Sequence, residues 1–136
     1  MMVDPETTVL IADDDVSFAT FARTALAGIG ATAQTVGDGD ACLEAVRASQ
    51  PDAILLDLFM PAIDGLEVLR RLRADPATAG LLVMLLTGLP TGETLSAARA
   101  GGADDVLFKP FMVADLLERV RRLLERHRGV ARELPA

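Results

Sequence analysis

The sequence predicts an α/β domain: five βα units forming a doubly wound, five-stranded parallel sheet with helices on both faces, a three-layer αβα sandwich. Short apolar runs alternate with amphipathic stretches five times along the chain. The runs "AILL" and "LLVMLL" are continuous rather than alternating, as in strands buried on both faces. At 136 residues, 51% of them hydrophobic, the chain is large enough for one self-sufficient core. Strand–helix alternation implies parallel pairing through helical crossovers.

Each element has its own justification. "TVLIA" (8–12) is short, β-rich and followed by acids, so it reads as a buried strand. A helical pattern runs from Val16 to Ala27 and closes at "GIG". "TAQTV" (32–36) is a weaker strand, "GDGD" (37–40) a loop and helix start, and residues 41–49 a short helix. "DAILLD" (52–57) is the third strand and "FMPAIDG" (59–65) a loop. Residues 66–75 place Leu66, Leu69 and Leu72 on one helical face between charges. "GLLVMLLTG" (80–88) has the length of a strand bounded by glycines. Residues 91–102 form a weak helix closed by glycines, and "DVLF" (105–108) is the fifth strand. The last helix, 113–127, turns Leu116, Leu117, Val120, Leu123 and Leu124 inward. Residues 1–7 read as an N-terminal extension and 128–136 as a tail or the start of a linker.

Composition excludes several function classes. A net charge of −7 argues against nucleic-acid binding by bulk charge. No apolar run reaches the ~20 residues of a membrane span, and the polar, acidic "MMVDPETT" is no secretory signal. A single cysteine, Cys42, allows no internal disulfide, fitting a reducing cytoplasm. Arg119, Arg121, Arg122, Arg126 and Arg128 alternate with Glu118 and Glu125, which reads as a solvated or partner-facing helix. His127 lies near the end of that helix, where it suits the C-terminal carbonyls better than a catalytic role.

In a doubly wound sheet, ligands bind beyond the carboxyl ends of the strands. Here the first strand delivers Asp13, Asp14 and Asp15, the third Asp57, the fourth Thr87 and the fifth Lys109. Clustered carboxylates repel one another unless a cation relieves them, and oxygen ligands without His or Cys favour Mg²⁺ over Zn²⁺. Such a site completes its shell with water and phosphate, whose remaining oxygens suit a hydroxyl and an ammonium. Asp15 is equally a helix N-cap. Lys109 is the only lysine beside twelve arginines, so a compact point charge is used where a broad planar fork is preferred elsewhere.

The motifs "LIADDD", "ILLDLFMPAIDG", "LLVMLLTG" and "FKPF", at these spacings, resemble the receiver domains of bacterial two-component response regulators, which share the flavodoxin-like fold. The resemblance spans about residues 8–126 and sets a receiver domain at 8–127. It implies Asp57 as phosphoacceptor, with Mg²⁺ held by Asp13, Asp14, Asp57 and the backbone carbonyl of Phe59. Thr87 and Lys109 would engage the phosphoryl group, and the Lys109–Pro110 peptide is expected to be cis, aiming the lysine. It further implies a sensor histidine kinase or histidine phosphotransfer protein as donor. The downstream effector would dock on the face formed by the fourth helix, fifth strand and fifth helix, a surface that also suits a homodimer.

Two departures from the family pattern stand out. Val106 occupies the position of an aromatic switch residue that normally acts with Thr87, leaving Phe108, two residues on, as a substitute. Met112 stands where a helix N-cap is usual. Phe59 and Leu89, both apolar, flank the expected route of hydrolytic water, which predicts slow self-dephosphorylation rather than enzyme activity. A haloacid-dehalogenase-type magnesium phosphatase would need an acid at position 59. A flavodoxin-type nucleotide module would need a phosphate loop where "ADDDVS" stands. A degenerate receiver acting only as a binding module would lack Asp57 or Lys109.

Overall fold

The computed structural model describes residues 2–89 and 91–133, the side chains from 127 onward excepted. Five strands, β1 (Thr8–Ala12), β2 (Thr32–Val36), β3 (Ala53–Asp57), β4 (Leu82–Thr87) and β5 (Asp105–Phe108), pair in parallel in the order β2-β1-β3-β4-β5. They alternate with α1 (Val16–Gly28), α2 (Gly39–Ala48), α3 (Gly65–Ala74), α4 (Gly92–Ala100) and α5 (Val113–Glu133). This is the expected three-layer sandwich.

Side chains on a strand alternate between faces, so each central strand feeds two cores. Val9, Ile11, Ala53, Leu55, Met84, Leu86 and Leu107 pack against Leu26 of α1 and Leu116, Val120, Leu123 and Leu124 of α5. The intervening Leu10, Ala12, Ile54, Leu56, Val83 and Leu85 pack against Val46 of α2, Val68, Leu69 and Leu72 of α3 and Ala98 of α4. Cys42 lies in that second core, where burial pushes its thiol up to about 12, which suits an inert apolar filler.

The helices start where side-chain oxygens accept their free amides. Asp15, Asp38, Asp64 and Thr91 take the N–H groups of Phe18, Ala41, Glu67 and Thr94. At α5 the corresponding place holds Met112, whose side chain is exposed. Met112→Ser is therefore expected to stabilise the fold by about 1 kcal/mol, or roughly 3–5 °C in Tm, read by thermal unfolding. An unchanged Tm would count against a missing cap.

Some boundaries differ from expectation. β4 begins at Leu82 rather than at 80, because the Leu81 N–H still closes a turn onto the Thr78 carbonyl. α2 starts on Gly39, inside the expected helix start, whereas α3 starts on Gly65, which the sequence assigned to a loop. α5 continues to Glu133, past the expected end at 127. The tail expected over 128–136 is thus helical as far as it is described, while the side chains of His127 and Arg128 lie outside the described residues. The segment expected as an N-terminal extension is tied down: the Val3 N–H donates to Ile29, and Thr7 is buried.

At the sheet edge opposite the strand ends of interest, Arg73 at the end of α3 is a junction. It donates to the carbonyls of Ala79, Leu81 and Gly102 and to the Asp104 carboxylate. That carboxylate also accepts the Val83 N–H at 2.9 Å. Gly102 has φ +88, and a Cβ there would meet the Arg73 side chain at 3.2 Å, so only glycine suits the position.

Candidate functional site

Strand alternation decides which side chains meet beyond the carboxyl ends. Asp13 continues the face of Val9 and Ile11, Asp57 that of Ala53 and Leu55, and Lys109 that of Leu107, so all three fall on the α1/α5 side. The strand order makes β1 and β3 the switch point of the winding, where crevices open in such sheets. Carboxylate oxygens of Asp13, Asp14 and Asp57 lie within 4.8 Å of one another there.

Asp13 is 2% exposed, and each of its oxygens has a donor. Oδ1 accepts the Asp15 N–H at 2.9 Å and Oδ2 accepts Lys109 Nζ at 2.8 Å. The same ammonium lies 3.8 Å from Asp57 Oδ1. Asp15 caps α1 and does not join the cluster. Lys109, expected on the phosphoryl side away from the metal acids, is thus bonded to one of them. Among the described residues it is the positive charge that reaches these carboxylates, and the closer contact falls on the more deeply buried one.

The Asp57 carboxyl is raised from 3.8 to about 6. Burial is the largest cause, and the charge of Asp13 adds to it; Lys109 and the Phe59 N–H pull the other way, while Asp14 raises it further. A neighbouring loop holds this geometry. The Gly65 N–H donates to the Leu58 carbonyl at 2.8 Å, and a Cβ at 65 would sit 2.4 Å from the Asp57 backbone oxygen. Between them Ala62 adopts φ 68, a region that costs a non-glycine residue roughly 1 kcal/mol.

The other expected residues are placed as follows. The Phe59 side chain is 56% exposed at the mouth of the site. Thr87 is buried and continues the face of Val83 and Leu85, toward the opposite side from Lys109, with its hydroxyl accepting the Leu89 N–H at 3.1 Å. Phe59 and Leu89 line one groove with Leu66 and Ala97. Val106 and Phe108 line one hollow between α4 and α5 with Leu95, Arg99 and Arg119. The Lys109–Pro110 bond is cis, as the resemblance implied. The α5 arginines pair with carboxylates: Arg119 with Asp105, Arg121 with Glu118 and Glu125, Arg122 with Glu118 and Arg126 with Asp104.

Sequence reasoning missed Phe18. Its ring lies under Lys109, with Nζ 4.4 Å from the centroid. No local pattern signals this contact, because the first helix and the last strand meet only in the folded sheet.

The fold and this acidic pocket define a class of doubly wound domain with a carboxylate-lined crevice at its β1/β3 switch point. The chain belongs to the response regulator receiver domain family, whose pattern it matches over residues 9–121. It is 39% identical to the DNA-binding response regulator MtrA of Mycobacterium tuberculosis over 119 residues, covering 88% of this chain and 51% of that protein. It is 38% identical to the probable transcriptional regulatory protein TcrX of the same species, covering 88% and 50%. The chain thus spans about half the length of these curated relatives. Among solved structures, a response regulator from Chloroflexus aurantiacus superposes with TM-score 0.84 at 32% identity, covering 88% of this chain and 98% of that one. A chemotaxis response regulator of Vibrio cholerae gives 0.82 at 27%, covering 87% and 98%. The chain is a receiver domain of two-component signalling, and nothing favours the phosphatase or nucleotide-module alternatives.

Proposed function

We propose that Asp57 accepts a phosphoryl group from the histidine of a sensor kinase or of a phosphotransfer protein, and that this changes the domain's affinity for an effector. The observation that carries the reading is the cluster of Asp13, Asp14 and Asp57 around one point with Lys109 beside it. An Asp57 carboxylate oxygen forms the new bond to phosphorus as the donor's P–N bond breaks, the electron pair leaving with the imidazole. Lys109 turns from Asp13 toward the incoming equatorial oxygens. The Phe59 N–H and burial keep the nucleophile placed and dry.

The donor set suits Mg²⁺: carboxylate oxygens only, close together, in a half-open pocket. Asp13, Asp14 and Asp57 would hold it, with the Phe59 carbonyl as a fourth donor. When bound it supplies charge neutralisation for the transferring group. Because its ligands must be ionised, binding weakens as pH falls through the raised Asp57 value of about 6.

Acetyl phosphate with Mg²⁺, followed by intact mass, tests the reading. The expected result is a Mg²⁺-dependent gain of one phosphoryl group that Asp57→Asn lacks. No gain in the wild type under donor excess would leave a phosphate-independent binding module. Phe59 and Leu89, the two positions flanking the water's route, carry no hydrogen-bonding group to orient it, so slow decay of the acyl phosphate is expected. Phe59→Asn is expected to speed it severalfold, and an unchanged half-life would remove this account.

Effector docking is assigned to the α4–β5–α5 face, where Val106 and Phe108 line a hollow that also suits a second copy of the chain. Thr87 and Phe108 are proposed as the moving pair, in place of the aromatic that Val106 replaces. A structure bound to a phosphoryl mimic with Phe108 unmoved would exclude this. We assign the protein to the cytoplasm on its family and on its single cysteine, which is buried and free. Among the described residues no helix is long and apolar enough to cross a membrane.

A further inference from the structure

Three features surround the Lys109 ammonium. Asp13 accepts from it at 2.8 Å, Asp57 lies at 3.8 Å, and the face of Phe18 lies 4.4 Å from it. The ring is itself held: Phe111, two residues beyond Lys109, meets it edge to face at 5.7 Å and 83°. Both rings pack against the α1/α5 core, so the ring under the lysine is part of a fixed wall. A ring face attracts a cation without setting a hydrogen-bond direction. A carboxylate does set one, and Asp13 is also a candidate metal ligand.

We propose that Phe18 is a positioning residue for Lys109: its ring holds the ammonium over the pocket while the ammonium passes from Asp13 to the phosphoryl oxygens. This rests on the phosphoacceptor reading above. A metal ion at the Asp13 carboxylate competes with the hydrogen bond that Lys109 makes there. The ring contact does not compete with the metal and persists through the exchange. Phe18 thereby limits how far the flexible lysine wanders when its carboxylate partner is taken. Phe111, by backing the ring, fixes its tilt.

Lys109 is the only lysine in the chain, so lysine labelled with ¹³C at the ε carbon yields the signal of a single ε-methylene beside the pocket. In the wild type that ε-methylene proton signal is expected upfield of its free position through the ring current of Phe18. In Phe18→Leu, which keeps apolar bulk, it is expected to return toward the free position, and in Phe18→Tyr to stay upfield. The initial rate of phosphoryl uptake from acetyl phosphate is expected to fall roughly three- to tenfold in the Leu variant and to be recovered in the Tyr variant. Mg²⁺ affinity is expected to be unchanged in both. A wild-type lysine signal at its free position, a Leu variant with wild-type uptake, or equal losses in Leu and Tyr would overturn the proposal. The NMR arm needs no phosphoryl transfer, so failure of the phosphoacceptor reading would show separately, as a shifted lysine in a protein that takes up no phosphoryl group.

Discussion

Without metal at pH 7, Asp57→Asn is expected to be more stable than the wild type by about 2–3 kcal/mol, besides losing all phosphoryl uptake. The folded Asp57 carboxyl titrates at about 6 and its unfolded counterpart at 3.8. Between those values the folded state binds more protons than the unfolded state. The contribution of Asp57 is therefore fully present below 3.8 and is lost as pH rises through about 6. Denaturant titrations of both proteins across this range should show the wild type losing ground to the Asn variant as pH rises. Mg²⁺ at a hundred times its Kd should return about 2.7 kcal/mol to the wild type and less to the variant. Parallel pH profiles for the two proteins would mean that the Asp57 environment is wetter than its burial indicates.

Lys109→Ala carries the second large effect. The Asp13 side chain is fully buried, and Lys109 is its ionic partner. Removing one member of such a pair costs about 3 kcal/mol, because the other charge is left uncompensated. Phosphoryl uptake is expected to drop on the order of a hundredfold or more with the loss of a charge aimed at the transferring group. Mg²⁺ should bind more tightly, since the carboxylates lose a competing cation. Lys109→Arg keeps the charge but offers a broad fork, so it should recover stability more fully than uptake. Denaturant titration, Mg²⁺ titration and intact mass read the three effects, and wild-type uptake in Lys109→Ala would exclude the role given to the ammonium.

The strands of this domain were legible because β1, β3 and β4 are buried on both faces, so their apolar runs are unbroken. The site was legible for the complementary reason: Asp13, Asp57, Thr87 and Lys109 each interrupt an apolar run at its carboxyl end. What escaped the sequence depends on contacts between distant elements. Glycine is a poor helix former, yet α3 starts on Gly65 because that residue must pass the Asp57 backbone closely. Leu81 reads as strand by composition, but its amide is already committed to Thr78. The pairing of Lys109 with Asp13 and Phe18 arises only when β1, α1 and β5 are assembled.

The Arg73 junction gives the domain an uneven distribution of give. One guanidinium ties the end of α3, the lead-in to β4 and the turn before β5 into a single bolted edge. At the opposite edge Lys109 ties the ends of β5 and β1, while the loops after Asp57 and Thr87 leave Phe59 and Leu89 half in solvent. If Asp57 is phosphorylated as proposed, the charge added at the tip of β3 would act on a sheet clamped at its far end, and the expected movement falls in the loops and helix ends around the pocket.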